Sequence, residues 1–375
     1  MTWSSKSVSD ETFSAYQIAR IAKHADEETL GTNVISLDVK QDLEFVKFVS
    51  PQVGWTGNHY GVLYVTEDGG KSWQPRTLKV RESDDGVYYT SFHFASNLSG
   101  WAIAQHYNKP GEDICTREGS LLRTNDRGLT WQAQFRMSCV ELLTVTFAGE
   151  NEGWVLGHQF IQQEDITTGK FLVMHTCDGG STWIDVSAEP NRLMANLAGR
   201  VLESPQSIVA TGKGSASLIT VNGYLLDTAD GGKRWNRSGS LALYGLLPNA
   251  TATEDHSLAI TGGLDGGHGT AGMVAQRNKH GRWIGSWFNG FYLRDAIFLS
   301  STDLIVSGSF LAENAQPQRP SRRDGVILHS INGGLDWKPV YRSSEFESVN
   351  ALDQGQQRTI WAATQRGHLI QITLR

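Results

Sequence analysis

Apolar and polar residues alternate over short segments along most of the chain, and turns rich in glycine and polar residues separate these segments. Three segments share one plan, in which a phenylalanine precedes the tryptophan of a Gly-Trp pair by seven residues: FVSPQVGW (48–55), FASNLSGW (94–101) and FAGENEGW (147–154). Weaker copies run from Leu202 to Val209 and from Phe298 to Ile305. Alternation on both sides of a polar turn predicts a β-hairpin, so the chain is predicted to be all-β.

A second segment recurs downstream of these hairpins, with Ser/Thr, then Asp/Asn, Gly and Trp at the first, third, fifth and eighth places. Its copies are TEDGGKSW (66–73), TNDRGLTW (124–131), TCDGGSTW (176–183), TADGGKRW (228–235), SINGGLDW (330–337) and the shorter RNKHGRW (277–283). The acidic or amide side chain is expected to accept backbone hydrogen bonds of its own turn, and the glycine to adopt positive φ. The tryptophan is expected to begin the next strand and pack in the core. These residues are therefore predicted to be structural: Asp68, Asp126, Asp178, Asp230, Asn332, Trp73, Trp131, Trp183, Trp235 and Trp337.

The repeat has a period of about fifty residues and four strands per unit, which matches the length and the strand number of a propeller blade. Six units end in the second segment, and three more predicted strands (349–353, 359–364 and 368–374) follow Trp337. The missing fourth strand is predicted at residues 32–39, because pairing both chain ends in one blade removes a free edge. We therefore predict one seven-bladed β-propeller of four-stranded blades over residues 32–375. A six-bladed ring, which leaves residues 345–375 unused, is the alternative.

Residues 1–31 are predicted to form a separate arm that is partly helical or mobile. Ser9 or Asp10 can cap a helix from about Glu11 to Glu28, whose apolar residues lie only loosely on one face. The arm lacks the apolar core of a secretory signal, so a cytoplasmic location is expected for the chain as written, or a periplasmic one if a leader was removed. Cys115 and Cys139 can pair, but nothing in the sequence requires it.

The composition limits the possible functions. The chain has 375 residues, a net charge of −6, and 39% apolar against 19% charged residues. The net negative charge argues against nucleic-acid binding, and no apolar run approaches the ~20 residues of a membrane span. Ten of the 12 tryptophans occupy repeat positions, so they are expected in the core. No metal-ligand spacing or cofactor motif occurs, and a monomer without cofactor or metal is expected.

The combination of Gly-Trp, a variable loop and T-x-D-G-G-x-x-W resembles the BNR/Asp-box propellers. More closely, it resembles the photosystem II assembly and stability factor family and its bacterial relatives. The resemblance covers about residues 34–375 and rests on the second repeated segments and on Gly54-Trp55, Gly100-Trp101 and Gly153-Trp154. It implies a non-enzymatic propeller that binds a protein client during assembly of a complex.

The long segments between the second and third strands predict the binding face. Five consecutive blades carry insertions there: 105–119, 158–170, 211–223, 262–272 and 309–325. Tyrosine and arginine are common anchors of protein interfaces. The predicted partner-binding residues on this face are Tyr88, Tyr89, His106, Tyr107, Arg117, His158, Asp165, Asp265, His268, Tyr292, Arg294, Arg319, Arg322 and Arg323.

Two other functions compete with the assembly factor or scaffold. An acidic propeller with long loops suits an immunity or inhibitor protein that blocks a secreted toxin or enzyme, because acidic inhibitors associate quickly with basic enzymes. A sialidase-like glycoside hydrolase is the second alternative, with Asp113, Asp165 and Asp265 as candidate acids. The (F/Y)RIP segment typical of sialidases is absent, and the chain is predicted not to be an enzyme.

Overall fold

Seven antiparallel sheets form the blades of a propeller in the computed structural model, as the repeat predicts. The structure describes residues 16–18, 20–21, 29–37, 42–78, 87–106, 117–163, 166–195, 204–241, 249–252, 257–266, 269–278, 280–311, 323–343, 347–356 and 358–375. Each blade contributes four strands in chain order, and the last blade takes its fourth strand from the beginning of the chain. The predicted seven-bladed ring is confirmed.

The first four blades follow the chain without interruption. Blade 1 consists of Phe45–Phe48, Gly54–Gly57, Val62–Thr66 and Gln74–Thr77. Blade 2 consists of Val87–Phe94, Gly100–His106, Glu118–Thr124 and Gln132–Ser138. Blade 3 consists of Val140–Ala148, Glu152–Gln163, Ile166–Thr176 and Ile184–Asp185, and a short helix, Ala188–Ala195, leads out of it. Blade 4 consists of Pro205–Gly212, Ser215–Thr220, Tyr224–Thr228 and Asn236–Ser240.

The remaining three blades include the segment that precedes blade 1. Blade 5 consists of Asn249–Ala252, Leu258–Gly266, Gly269–Arg277 and Trp283–Asn289. Blade 6 consists of Phe291–Phe298, Leu304–Leu311, Arg323–Ser330 and Asp336–Arg342. Blade 7 consists of Val349–Gln354, Thr359–Thr364, His368–Leu374 and, as its outer strand, Thr29–Ser36. The closing strand predicted at 32–39 is confirmed in position, although it begins and ends three residues earlier.

The helix predicted from about Glu11 to Glu28 is wrong where the structure describes this segment. Tyr16–Ile18 is a strand that pairs in parallel with the outer strand of blade 5, and Arg20–Ile21 pairs in the same way with the outer strand of blade 6. The outer strand of a blade offers a row of unpaired backbone groups, and an extended segment satisfies them. The apolar residues of this segment lie only loosely on one helical face, so a helix would gain little by packing. The backbone pairing with the outer strands therefore decides its conformation.

The core lies between the blades. Among the described residues, the buried apolar side chains fall into seven clusters, one at each junction of neighbouring blades. Trp101 of blade 2, for example, is fully buried and stacks on Phe147 of blade 3, with ring centroids 3.7 Å apart. Each blade therefore depends on both neighbours for burial of its faces, which explains why the repeat must close into a ring.

The second repeated segment forms the turn between the third and fourth strands, called here the box turn. In blade 1, the Asp68 carboxylate accepts hydrogen bonds from the backbone N–H and the hydroxyl of Ser72, at 2.9 and 2.6 Å. The Thr66 hydroxyl accepts the N–H of Gly70, whose φ is +87°. Blades 2, 3, 4 and 6 repeat the backbone N–H bond to the Asp or Asn side chain. They also repeat the glycine N–H bond to the Ser or Thr hydroxyl. Hydrogen bonds from Ser72 hold the pKa of Asp68 at about 2, and these contacts support the structural role predicted for the segment.

The sequence alignment of blade 4 was wrong by one strand. Val209 was matched to the Gly-Trp strand, but it lies on the first strand of its blade, and Ser217 on the second strand holds the position of the tryptophan. Arg277 of blade 5 fills the place of the missing ring, because its guanidinium pairs with Asp227 and donates to the Ser217 hydroxyl. The segment 211–223 is therefore a strand with two short turns, and blade 4 carries no insertion there.

Candidate partner-binding face

The two ends of the ring differ in the turns they carry. One end, called here the box face, holds the box turns and the turns between first and second strands. The opposite end, called here the loop face, holds the turns between second and third strands and the connections between blades. Strand direction alternates within each blade, so these two sets of turns must lie at opposite ends. The predicted insertions of blades 2, 3, 5 and 6 therefore share the loop face.

Two of the insertions are paired strands instead of loops. In blade 3, Glu152–Gln163 and Ile166–Thr176 pair in register as far as Gln163 and Ile166. In blade 5, Leu258–Gly266 and Gly269–Arg277 pair as far as Gly266 and Gly269. The tips of the insertions in blades 2 and 6 lie outside the described residues. The loop face thus carries two long hairpin arms built on continuous backbone ladders.

Aromatic rings from blades 1 and 2 meet on the loop face. The Tyr88 ring stacks on His59 with centroids 4.8 Å apart, and it meets the edge of Tyr60 at 5.5 Å. His59 and Tyr60 are held in a tight turn because the Asn58 side-chain oxygen accepts the backbone N–H groups of Tyr60 and Val62. Tyr60 is 61% exposed, so this group offers an aromatic surface to solvent.

His59 links this aromatic group to charged residues across the ring. Its Nε2 lies 3.6 Å from a carboxylate oxygen of Glu44, and its Nδ1 lies 2.6 Å from the backbone oxygen of Tyr89. Burial opposes its protonation, but the hydrogen bond and charge of Glu44 outweigh this, so the pKa of His59 lies above its usual value. Burial opposes ionisation of Glu44, but the hydrogen bond and charge of His59, with a smaller contribution from the charge of Arg294 of blade 6, lower the pKa of Glu44. Residues from blades 1 and 6 therefore share one electrostatic environment.

On the blade 6 side, two guanidinium groups lie close to the Tyr292 ring. The Arg294 guanidinium is 5.3 Å from the centre of the Tyr292 ring, and the Arg323 guanidinium is 5.1 Å from it. All three side chains are half-buried. We call the seven residues of these two groups the mouth cluster: Glu44, His59, Tyr60, Tyr88, Tyr292, Arg294 and Arg323.

A second group lies between blades 2 and 3. The Arg117 guanidinium is 3.2 Å from a Glu141 carboxylate oxygen and 5.4 Å from the centre of the Phe160 ring, and His158 packs on the same ring at 4.8 Å. Burial lowers the pKa of His158. Cys139 lies at this junction and is disulfide-bonded, while Cys177 is free. The loop face thus has a second aromatic and cationic group, called here the rim cluster: Arg117, Glu141, His158 and Phe160.

The other predicted residues divide into three kinds. Tyr89 is not a surface residue, because it is only 2% exposed and its hydroxyl donates to the backbone oxygen of Leu78. His106 ends the second strand of blade 2 and is half-buried. Asp265 lies on a described strand, but its side chain is outside the described residues. Five more residues, together with Asp113 and Cys115, lie wholly outside them: Tyr107, Asp165, His268, Arg319 and Arg322.

Sequence reasoning missed Glu44, His59, Tyr60 and Phe160. The signal for two of them was present, since Asn58-His59-Tyr60-Gly61 is a turn segment with an aromatic tip on the same face as the insertions. This turn carries no insertion, so its length does not set it apart from an ordinary strand connection. Within the described part of the chain, no group of three His, Cys, Asp or Glu side chains lies close enough to hold a metal ion. No helix in that part is long and apolar enough to cross a membrane.

Two curated proteins from Synechococcus resemble this chain. The photosystem II assembly protein Ycf48 of strain JA-2-3B'a(2-13) is 30% identical over 246 residues, which is 57% of this chain and 67% of that protein. This chain belongs to the Ycf48 photosystem II assembly factor family. The family model described as photosynthesis system II assembly factor YCF48 matches residues 159–293. The photosystem II assembly lipoprotein Ycf48 of strain CC9902 is 30% identical over 142 residues, so the match spans about a third of either protein, 35% of each.

Solved structures agree with this membership at the level of the fold. The structure described as YCF48 bound to D1 peptide has a TM-score of 0.58, 16% identity, and coverage of 96% of this chain and 100% of that chain. A GH74 enzyme from Niastella koreensis has a TM-score of 0.57, 14% identity, and coverage of 88% of this chain and 52% of that enzyme. At these identities, both likenesses show the propeller fold alone.

Proposed function

We propose that this protein is a non-catalytic assembly factor that binds an extended segment of a protein client through the mouth cluster on its loop face. Membership of the Ycf48 family supports an assembly role. The solved relative with a D1 peptide supports a peptide segment as the bound client. The proposed client is therefore D1, or a subunit like it, during assembly of photosystem II. The inhibitor alternative stays a prediction.

One observation carries this proposal: two arginine guanidinium groups lie beside Tyr292 on one side of the mouth, while Tyr60 and Tyr88 form an aromatic surface on the other. Tyrosine and arginine are the residues that most often anchor protein interfaces. Their contacts hold them in place before a client arrives, which reduces the entropy lost on binding. An extended peptide that carries aromatic and acidic side chains matches this chemistry.

We propose that the protein works in an oxidising compartment on the exported side of a membrane, in contrast to the cytoplasmic expectation. Cys139 is disulfide-bonded, and structural disulfides persist mainly in such compartments. One curated relative is named a lipoprotein, which agrees with this location. Non-reducing electrophoresis of the protein from its host tests the point, because a fully reduced Cys139 contradicts it.

Binding of a fluorescent D1 peptide to the purified protein, followed by anisotropy, tests the client and the face. The variants Arg323→Gln and Tyr88→Ala are expected to weaken binding at least fivefold, because each removes an anchor while the blade framework remains. Their thermal unfolding midpoints should stay within a few degrees of the wild type.

Arg234→Gln provides the matched control. Arg234 is an exposed arginine of the blade 4 box turn, on the opposite face, and its loss should leave peptide affinity unchanged. A wild-type protein that does not bind the peptide would exclude D1 as the client. Equal losses in Arg323→Gln and Arg234→Gln would show that binding depends on general charge and not on the mouth cluster.

A further inference from the structure

The tryptophan of the Gly-Trp strand normally fills the junction with the next blade. Trp101 lies against the box-turn residue Gly180 of blade 3, and Trp154 lies against Gly232 of blade 4. Trp361 of blade 7 packs in the same way against Gly70 of blade 1. In each case, an indole ring covers the glycine of a neighbouring turn on the box face.

The junction of blades 5 and 6 lacks this ring. Ala259 faces Gln276 across the blade 5 ladder, as Trp154 faces His175 in blade 3, so an alanine holds the tryptophan position. The Gln276 amide instead donates to the backbone oxygen of Gly333 in the blade 6 box turn. The blade 5 turn is also shortened, and the Asn278 side-chain oxygen accepts the N–H groups of His280 and Arg282. Two departures from the repeat therefore coincide at one junction.

A cleft of about 340 Å³ opens on the box face at this junction. Its apolar lining comes from Ile284 and Phe298 and from Leu335 of the blade 6 box turn, which is 42% exposed. Ile331 in the same turn is 64% exposed. Blades 1 and 4 carry lysine where Leu335 stands, so a polar residue is compatible with the turn. Exposed aliphatic residues beside a cleft of this size are typical of a binding site.

The rest of the lining is cationic or neutral. Arg277, His280 and Arg282 line the cleft together with hydroxyl and amide side chains, and no aspartate or glutamate is among the described lining residues. Arg277 forms an ion pair with Asp227 of blade 4. The described lining nevertheless holds two arginines and a histidine and no acid, in a chain whose net charge is −6. An anionic group is therefore the complement of this wall.

We propose that the cleft between blades 5 and 6 binds a carboxylate attached to an apolar group, with the apolar part on Phe298 and Leu335 and the carboxylate toward Arg282 and His280. The carboxylate comes either from an acidic peptide with a neighbouring apolar side chain or from a free organic acid. This site lies on the face opposite the mouth cluster and does not depend on the function proposed above.

Titration calorimetry of the full chain with 4-phenylbutyrate, and with its neutral amide as the paired probe, tests the chemistry. The acid is expected to bind at least fivefold more tightly than the amide. Leu335→Gln and Arg282→Gln are each expected to weaken binding of the acid at least fivefold. Leu129→Gln is the matched control, because Leu129 is the exposed leucine at the same place in the blade 2 box turn.

The source of the carboxylate is tested with a blocked peptide, Ac-Glu-Phe-Glu-NH2, against its glutamine analogue. Binding of the peptide at least tenfold more tightly than 4-phenylbutyrate assigns the site to a protein partner, and comparable or weaker binding assigns it to a free acid. The proposal is overturned if neither acid binds at millimolar concentration or if the neutral probes bind as tightly. It is also overturned if Leu129→Gln weakens binding as much as Leu335→Gln does. Circular dichroism of each variant establishes that the fold is retained.

Discussion

Lys47 of the first blade donates a hydrogen bond to Asp353 of the last blade, with Nζ and Oδ1 2.8 Å apart across a separation of 306 residues. The other carboxylate oxygen of Asp353 accepts the backbone N–H of Phe48. Asp295 similarly accepts the N–H of Leu352, which joins blade 6 to blade 7. Where the chain runs continuously from blade 2 to blade 3, the hydroxyl of Ser91 accepts the equivalent backbone bond. Aspartate side chains therefore accept the backbone bonds at the junction of blades 7 and 1, where the ring closes, and at the neighbouring junction of blades 6 and 7.

Asp353→Ala is expected to lower the free energy of unfolding by about 2–3 kcal/mol, because it leaves the Phe48 N–H without its acceptor and removes the partner of Lys47. Urea unfolding measured by tryptophan fluorescence checks this. Glu150→Ala, an exposed change in the blade 3 turn, is the control and should stay within about 0.5 kcal/mol of the wild type. Equal effects of the two changes would contradict the closing role of Asp353.

Asp295 is expected to make the stability depend on pH. Burial raises its pKa to about 7, although the backbone N–H groups of Leu352 and Ala296 partly offset this. Between pH 4 and 7 the folded state keeps a proton that the unfolded state has lost, so stability falls as pH rises through this range. The maximum slope for one proton is about 1.4 kcal/mol per pH unit.

Urea unfolding of the wild type and Asp295→Asn at several pH values isolates this effect. The asparagine does not titrate, so the stability of the wild type relative to the variant should decrease from pH 4 to pH 7. A constant offset between their free energies of unfolding in this range would show that Asp295 does not retain a proton in the fold.

Trp131→Ala is expected to lower the free energy of unfolding by about 3–5 kcal/mol, as large core truncations do. Its ring is 7% exposed, and its Nε1–H donates to the backbone oxygen of Gly128 at 3.2 Å. The control lies two residues away: Leu129→Ala removes a 62% exposed side chain and should change stability by less than about 0.5 kcal/mol. Thermal denaturation of both variants measures the two changes in stability. A similar change in the two variants would contradict a core position for the Trp131 ring.

Arg277 and Asp227 are expected to be energetically coupled, because their pairing fills the junction of blades 4 and 5, where Ser217 stands in place of a tryptophan. A double-mutant cycle with Arg277→Met and Asp227→Asn should give a coupling energy of about 1–2 kcal/mol. The same cycle at Arg234 and Asp230, an exposed pair on blade 4, should give less than about 0.5 kcal/mol. Similar values for the two pairs would mean that the buried pairing adds nothing beyond a surface ion pair.

The blade count and ring closure could be predicted from sequence because the signals are local and repeated. Asp68 and its equivalents bond within their own turns, so five residues suffice to specify the turn. Blade 4 was misaligned because Ser217 holds the tryptophan position, and only its partner Arg277, sixty residues away, explains the substitution. The mouth cluster was half predicted, since Tyr88, Tyr292, Arg294 and Arg323 were named and Glu44, His59 and Tyr60 were not.

The sequence by itself determined what depends on short-range geometry: strands, box turns, their period, and the end of the ring that carries each turn. The tertiary structure alone decided what depends on distant segments meeting. It buried Tyr89, brought the charge of Arg294 of blade 6 to bear on Glu44 and His59, and opened a cleft between blades 5 and 6. The physical reason is that contacts between blades join residues far apart in the chain, and no local pattern records which side chain the neighbouring blade supplies.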